Sequence, residues 1–310
     1  MNDFVSIYEV GPRDGLQNEA THVETPDKLR LIKALADAGL QRIEATSFVH
    51  PKAVPQMADA DTVMSTLIEQ YPERPTTFFG LVLNEKGYDR AYEAGCRHMA
   101  FGVALSETFS QRNTNMSVTE ALKICQRLTE RARQDGVWTR VYLMTAWVCP
   151  FEGPMLPQKA LRQARLLWEM GIDELAIADT IGHAGPLEVG QLLEQIARHT
   201  DINKLAVHLH DTQALGLTNT AAALSAGVRI VDSSVGGLGG CPFAPGAAGN
   251  LATEVLVFLA YKMGLGTGVD FPRLWEAVAI ADEVTGRRTG GRIRAWWESH
   301  LEEEPTLSMM

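Results

Sequence analysis

The chain has 310 residues, 45% of them hydrophobic, and a formal net charge of −10. That is enough apolar material for the core of one large domain. The acidic balance argues against nucleic acid or an anionic membrane surface as the main partner, while an anionic small molecule held by a few local Arg or Lys stays open. Cys96, Cys125, Cys149 and Cys241 form no C-x-x-C pair, which argues against a disulfide framework or a structural zinc site and fits a reducing cytoplasm. The stretch Met1-Asn-Asp-Phe-Val-Ser-Ile-Tyr8 has no basic region followed by an apolar one, and no apolar run is long enough to span a bilayer. A cytoplasmic protein is the expectation.

Short apolar runs alternate with amphipathic segments almost to the end. In chain order the pattern predicts strand 4–10, helix 26–38, strand 42–45, helix 58–70, strand 76–83, helix 86–94, strand 98–104 and helix 118–134. It continues with strand 138–145, helix 158–170, strand 174–178, helix 186–198, strand 205–209, helix 214–226, strand 229–233 and helix 248–262. Gly39, Gly95, Gly171 and Gly227 each follow a predicted helix and supply its left-handed closing residue. Eight strand–helix pairs are the repeat of a (β/α)8 TIM barrel, here about 4–263. A doubly wound open sheet is the runner-up, but no G-x-G-x-x-G follows the first strand. The tail is expected to add extra C-terminal helices outside the barrel, about 271–300, giving one catalytic domain over 1–310.

A TIM barrel carries its chemistry at the C-terminal ends of its strands, and the unusual polar residues lie there. Arg13 and Asp14 follow the first strand, Glu44 ends the second, Thr145 lies near the end of the fifth and Asp179 follows the sixth. The seventh ends in His208-Leu-His210, and the eighth leads through a glycine-rich loop holding Cys241 to Asn250. His208 and His210, two apart on a strand, face the same way and with a carboxylate suit a divalent cation; hydrogen-bonded core histidines are the plain alternative. Asp14 can cap its turn or bind the cation, with Arg13 facing a developing anion. Glu44 interrupts an apolar strand, where a carboxylate is costly unless paired. Asp179 is balanced between turn cap and site residue. Asn250 reads as the N-cap of the last helix or as a metal ligand. Cys96 and Cys125 read as packing residues and Cys149-Pro150 as structural, whereas Cys241 among glycines reads as a reactive thiol on a mobile loop. The loop lacks the Gly-Lys-Ser/Thr ending of a P-loop.

Val10-Gly-Pro-Arg-Asp-Gly-Leu-Gln-Asn-Glu19, Thr46-Ser-Phe-Val-His-Pro-Lys-Ala-Val-Pro-Gln-Met57, Asp179-Thr-Ile-Gly182, His208-Leu-His-Asp-Thr212 and the glycine loop to Asn250 resemble the 3-hydroxy-3-methylglutaryl-CoA lyase family, over nearly the whole chain. The resemblance implies a TIM barrel that uses Mg²⁺ or Mn²⁺ to cleave an acyl-CoA by a retro-Claisen reaction, in leucine catabolism, releasing acetoacetate and acetyl-CoA. It implies Asp14, His208, His210 and Asn250 as metal ligands and Arg13 as the stabiliser of the enolate. Glu44, Asp179 and His208 would orient the site and handle protons, and Cys241 would protonate the enolate carbon. Arg13, Thr145, Gly239 and Gly240 would contact substrate. Lys52 and Arg112, in loops after the second and fourth strands, are candidates for the CoA phosphates. A homodimer is in keeping with the family.

The chain departs from the family at Met144-Thr145, where Ser-Cys is common, at Leu83-Asn84 and over Gln213-Ala-Leu-Gly-Leu-Thr-Asn219. These positions concern the acyl group, so a related tertiary 3-hydroxyacyl-CoA such as citramalyl-CoA is the nearest alternative. A Claisen-type condensing synthase is a further one, disfavoured because those relatives use a different segment in place of the glycine loop. A catalytically silent CoA-ester binder would predict a broken metal set.

Overall fold

A computed structural model describes residues 3–72, 75–240 and 249–300. The eight predicted strands are present as β1 (Ser6–Glu9), β2 (Arg42–Ser47), β3 (Thr77–Leu81), β4 (His98–Ala104), β5 (Trp138–Met144), β8 (Glu174–Asp179), β9 (Leu205–Leu209) and β10 (Ile230–Ser233). They pair in parallel in that order and close into a barrel through β10 and β1. A two-stranded antiparallel hairpin, β6 (Val148–Cys149) with β7 (Gly153–Pro154), rises from the loop after β5.

The surrounding helices are α1 (Thr25–Asp37), α2 (Ala60–Gln70), α3 (Glu85–Glu93), α4 (Glu107–Thr114), α5 (Val118–Asp135), α6 (Pro157–Glu169), α7 (Pro186–Ala197), α8 (Gly216–Ser225) and α9 (Thr253–Lys262). Local chemistry sets their ends. Ser117 and Glu120 form a reciprocal capping box at the start of α5. Gly39, Gly95, Gly171 and Gly227 all take positive φ after their helices, as the sequence predicts. Two C-terminal helices, α10 (Phe271–Thr285) and α11 (Arg294–Ser299), pack outside the barrel. There the rings of Trp275 and Trp297 stack 5.5 Å apart.

The main apolar core lies between the strands and the helix ring. Inside the barrel, Ala100, Ala176 and Ala206 pack around Tyr142 and Ile230. These small residues on neighbouring strands make room for the fully buried Arg140, the largest such side chain. Its guanidinium lies 3.8 Å from the Tyr8 ring centroid and 4.8 Å from that of Tyr142. Asp232 and Glu174 neutralise it at 2.5 and 3.2 Å. Removing either acid would leave a buried charge unpaired.

Candidate active site

The site is assembled from the ends of strands distant in sequence. After β1 the backbone folds into one turn, Gly11–Gly15, in which the N–H groups of Arg13, Asp14 and Gly15 all donate to the Val10 carbonyl. This turn presents Arg13 and Asp14 at the barrel mouth. Arg13 is forked: Nε donates to Glu44 Oε1, and Nη1 donates to Asp14 Oδ1 at 2.5 Å. Burial works against the Arg13 charge, but Asp14 and Glu44 outweigh it and hold the guanidinium protonated. Burial would likewise raise the Asp14 carboxyl, yet Arg13, His208 and His210 bring it down to about 2.

Glu44 is fully buried. Its other oxygen accepts the hydroxyls of Tyr8 at 2.9 Å and Tyr142 at 3.1 Å. Both carboxylate oxygens are therefore engaged, and Glu44 does not line the cavity at the mouth. Its geometry is that of a group that orients Arg13. A register irregularity between Glu44 and Thr46 lets β2 turn the following residues.

His208 and His210 stand side by side, their Nε2 atoms 3.1 Å apart. One ligand atom from each, with one Asp14 oxygen, fits within 4.8 Å. Burial and the neighbouring His208 push His210 down to about 4, so it is neutral and keeps a lone pair to offer. Asn250 adds a fourth group. Its Nδ2 donates to Asp14 Oδ2 at 2.8 Å and to the Leu238 carbonyl at 3.1 Å, while its Oδ1 is buried without a hydrogen-bond partner among the described residues. Two converging imidazole nitrogens, a carboxylate and an orphaned amide oxygen fit a divalent cation with mixed oxygen and nitrogen ligands.

Several expectations shift. Asn250 is not a helix N-cap: it pairs in an antiparallel bridge with His210, and α9 begins three residues later at Thr253. The Leu251 N–H to Leu209 carbonyl bond, 3.1 Å, locks that bridge. Asp179 spends both oxygens on the backbone N–H groups of His183 and Ala184, at 3.1 and 3.0 Å, and caps that turn outside the cavity lining. Thr145 takes φ 56°, an unusual value for a β-branched residue. Its hydroxyl donates to the Met144 carbonyl and its N–H to Thr180 Oγ1, both at 2.7 Å. Met144 and Thr180 line the cavity in its place. Arg112 lies on α4, a helix the sequence pattern missed, and lines the cavity with its guanidinium 4.3 Å from the Phe151 ring. Lys52 is exposed on the turn after β2 and is not part of the lining, whereas His50 and Ala53 are. Gly240 lines the cavity and accepts from Asn18 Nδ2 at 2.9 Å. Gly239 supports Asn250 instead: a Cβ there would lie 2.6 Å from Asn250 Nδ2. Cys241 lies outside the described residues.

Beneath Asp14, His208 and His210 lies a layer that no local sequence pattern singles out. Asp232, on β10, faces His208 Nδ1 at 3.1 Å through one oxygen and Arg140 through the other. An acidic residue in the run Ile-Val-Asp-Ser was the available signal. Glu9 and Glu254, both fully buried, brace the start of the glycine loop. Glu9 Oε1 accepts the N–H of Gly11 at 2.7 Å and of Val235 at 2.9 Å, and Glu254 accepts that of Gly236 at 3.1 Å.

The cavity over these groups has a volume of about 470 Å³. The HMGL-like family model matches residues 4–280, which include every residue named in this site. The chain belongs to the HMGL-like family. It is 43% identical over 289 residues to the mitochondrial hydroxymethylglutaryl-CoA lyase of Bos taurus, covering 93% of this chain and 88% of that one. The structure of hydroxymethylglutaryl-CoA lyase from Pseudomonas aeruginosa matches with a TM-score of 0.91 at 40% identity, covering 96% of this chain and 99% of the other. An HMG-CoA lyase from Acinetobacter baumannii, solved with coenzyme A and 3-methylmalate, matches with a TM-score of 0.89 at 34% identity over 94% and 95% of the two chains. The (β/α)8 barrel expected from the strand–helix repeat is thus the fold of this chain.

Proposed function

We propose that the protein cleaves 3-hydroxy-3-methylglutaryl-CoA into acetoacetate and acetyl-CoA, with Mg²⁺ or Mn²⁺ held by Asp14, His208, His210 and Asn250. It is a carbon–carbon lyase of the HMGL-like family. The observation that carries the reading is the convergence of Asp14, His208 and His210 beside the forked Arg13 at the mouth of the barrel. The identity to hydroxymethylglutaryl-CoA lyases supports the substrate. The coenzyme A in the Acinetobacter baumannii complex supports a thioester carrier.

A divalent cation in this set would acidify the substrate hydroxyl. The hydroxyl passes its proton to water in the open cavity, the C2–C3 bond breaks, and the electron pair of that bond moves onto the thioester as an enolate. Arg13 faces that developing charge: Nε and Nη1 are taken by Glu44 and Asp14, which leaves Nη2 for the thioester oxygen. Because Glu44 is itself fixed by two tyrosine hydroxyls, Arg13 is held in place before substrate arrives. Cys241 protonates C2, completing acetyl-CoA, and C3 is released as the ketone of acetoacetate. Arg112, near the cavity rim, contacts a CoA phosphate, with Lys52 a second cation nearby. A cytoplasmic homodimer acting in leucine catabolism is the setting this reading implies.

The deciding experiment is incubation of the purified protein and a divalent cation with 3-hydroxy-3-methylglutaryl-CoA and, separately, citramalyl-CoA, with identification of the acid released. Acetoacetate from the first supports the proposal. Pyruvate from the second alone would reassign the substrate. Full turnover by both Cys241→Ala and Asp14→Ala would sink the mechanism.

A further inference from the structure

The cavity has two chemically distinct halves. One carries Arg13, Asp14, His208 and His210 from the ends of β1 and β9. The other, at the ends of β3, β4, β5 and β8, carries an apolar wall of Leu81, Leu83, Gly102, Met144 and Ala178, with the polar Asn84, Arg112 and Thr180 on the segments that follow. Met144 sits two residues beyond Tyr142 on β5, so its side chain leaves the strand on the same side. The Tyr142 ring stands edge-on to His208 with centroids 5.7 Å apart. Met144 therefore lies one layer above the residue that touches the His208 ring, towards the mouth. Its Cε covers Gly102: a Cβ at Gly102 would meet it at 3.2 Å.

Carbon C3 of the substrate bears four groups: a hydroxyl, a carboxylate-bearing methylene, a thioester-bearing methylene and an alkyl group. The first three end in atoms that need charged or hydrogen-bonding partners, which Arg13, Asp14 and the two histidines supply on one side and Asn84, Arg112 and Thr180 on the other. The alkyl group is left to face the second half, where burial against apolar surface is favourable. On that wall Gly102 and Ala178 are small and Leu81 and Leu83 are branched at Cγ, while Met144 is long and unbranched.

We propose that Met144 sets the size of the C3 substituent this lyase accepts, and that shortening it opens the site to 3-hydroxy-3-alkylglutaryl-CoA thioesters with ethyl or propyl in place of methyl. The proposal rests on the retro-Claisen reading above. Each substrate would give acetyl-CoA and a 3-oxo acid longer by the added carbons, with no change in the atoms that react.

The test is kcat/KM for the methyl, ethyl and propyl members of the series, read as acetyl-CoA formed, in the cation-loaded wild type and two variants. Met144→Ala widens the subsite and should raise the propyl-to-methyl ratio by about tenfold or more, the scale on which apolar pockets discriminate single methylenes. Gly102→Ala pushes against Met144 Cε from behind and should lower that ratio, which keeps the test decisive if Met144→Ala does not fold. Wild-type cleavage of the methyl substrate with ratios unchanged within twofold in the folded variants would overturn the assignment of Met144. Equal kcat/KM of the wild type for the methyl and propyl members would overturn the size limit. Absence of cleavage of every member by the wild type would instead overturn the proposed reaction itself.

Discussion

Asp232 sits behind His208 as a carboxylate sits behind many metal-binding histidines, receiving Nδ1 and leaving Nε2 to point into the cavity. Arg140 holds the opposite oxygen of Asp232 and lowers its pKa against the effect of burial. Asp232→Asn removes the charge that anchors the ring, and should weaken Mn²⁺ binding by about 10–100-fold in calorimetric titration while the circular dichroism spectrum is kept. Unchanged affinity would mean that the contact only fills space. Arg13 makes a second case. Its fork reaches Asp14 and Glu44 together, which a point-charge ammonium cannot reproduce. Arg13→Lys should lower kcat by about 10²-fold in steady-state assays, with a smaller change in KM. At this scale the sequence was most informative where strand periodicity and position coincide, as at His208 and His210. It was least informative at Asn250, whose local surroundings suggest an N-cap while a bridge to His210 decides its place. Asp179 shows the converse, since a polar residue at a strand end can be consumed by its own turn.

The element that joins β10 to α9 is braced by two buried acids. Burial raises Glu9 to about 7 despite hydrogen bonds from Thr253, Val235 and Gly11, and raises Glu254 to about 7 with added repulsion from Glu9. A carboxyl raised in the folded state keeps a proton that the unfolded chain gives up. Its contribution is intact below the ordinary value of 4.5 and is lost as pH rises through about 7. Urea unfolding of the wild type should therefore show lower stability at pH 8 than at pH 5.5, by on the order of 3 kcal/mol for the pair. Glu254→Gln should shrink that difference by roughly half; an unaltered pH slope in the variant would rule out the pair as its source. Most helices were legible because their apolar periodicity is strong. α4 was not, because it is a short, largely polar helix whose start is fixed by Ser106 capping the Phe109 N–H at 3.1 Å.

Across the whole molecule, the proposed ligand groups come from the ends of β1 and β9 and the segment after β10, so an ion bound by them would tie together parts of the barrel far apart in sequence. Binding to the folded state alone stabilises it by mass action, about 2.7 kcal/mol at a hundredfold excess over Kd. Thermal melts in Mn²⁺ should accordingly lie above melts in EDTA, and Asp14→Asn should abolish most of that gap. If the chelator leaves the wild-type Tm in place, the cluster does not hold the ion. The alternation of apolar runs and amphipathic segments by itself determined the eight-stranded barrel, because both periodicities are local and each unit must bury its face against the next. The strand-end position of Arg13, Asp14, His208 and His210 followed from the same repeat. Only the tertiary structure decided which polar residues face the cavity and which are spent on backbone, and only it joined Arg13 through Glu44 to two tyrosines, or His208 through Asp232 to Arg140. Those links run between strands separated by up to about a hundred residues, and barrel closure, which no local pattern encodes, sets their distances.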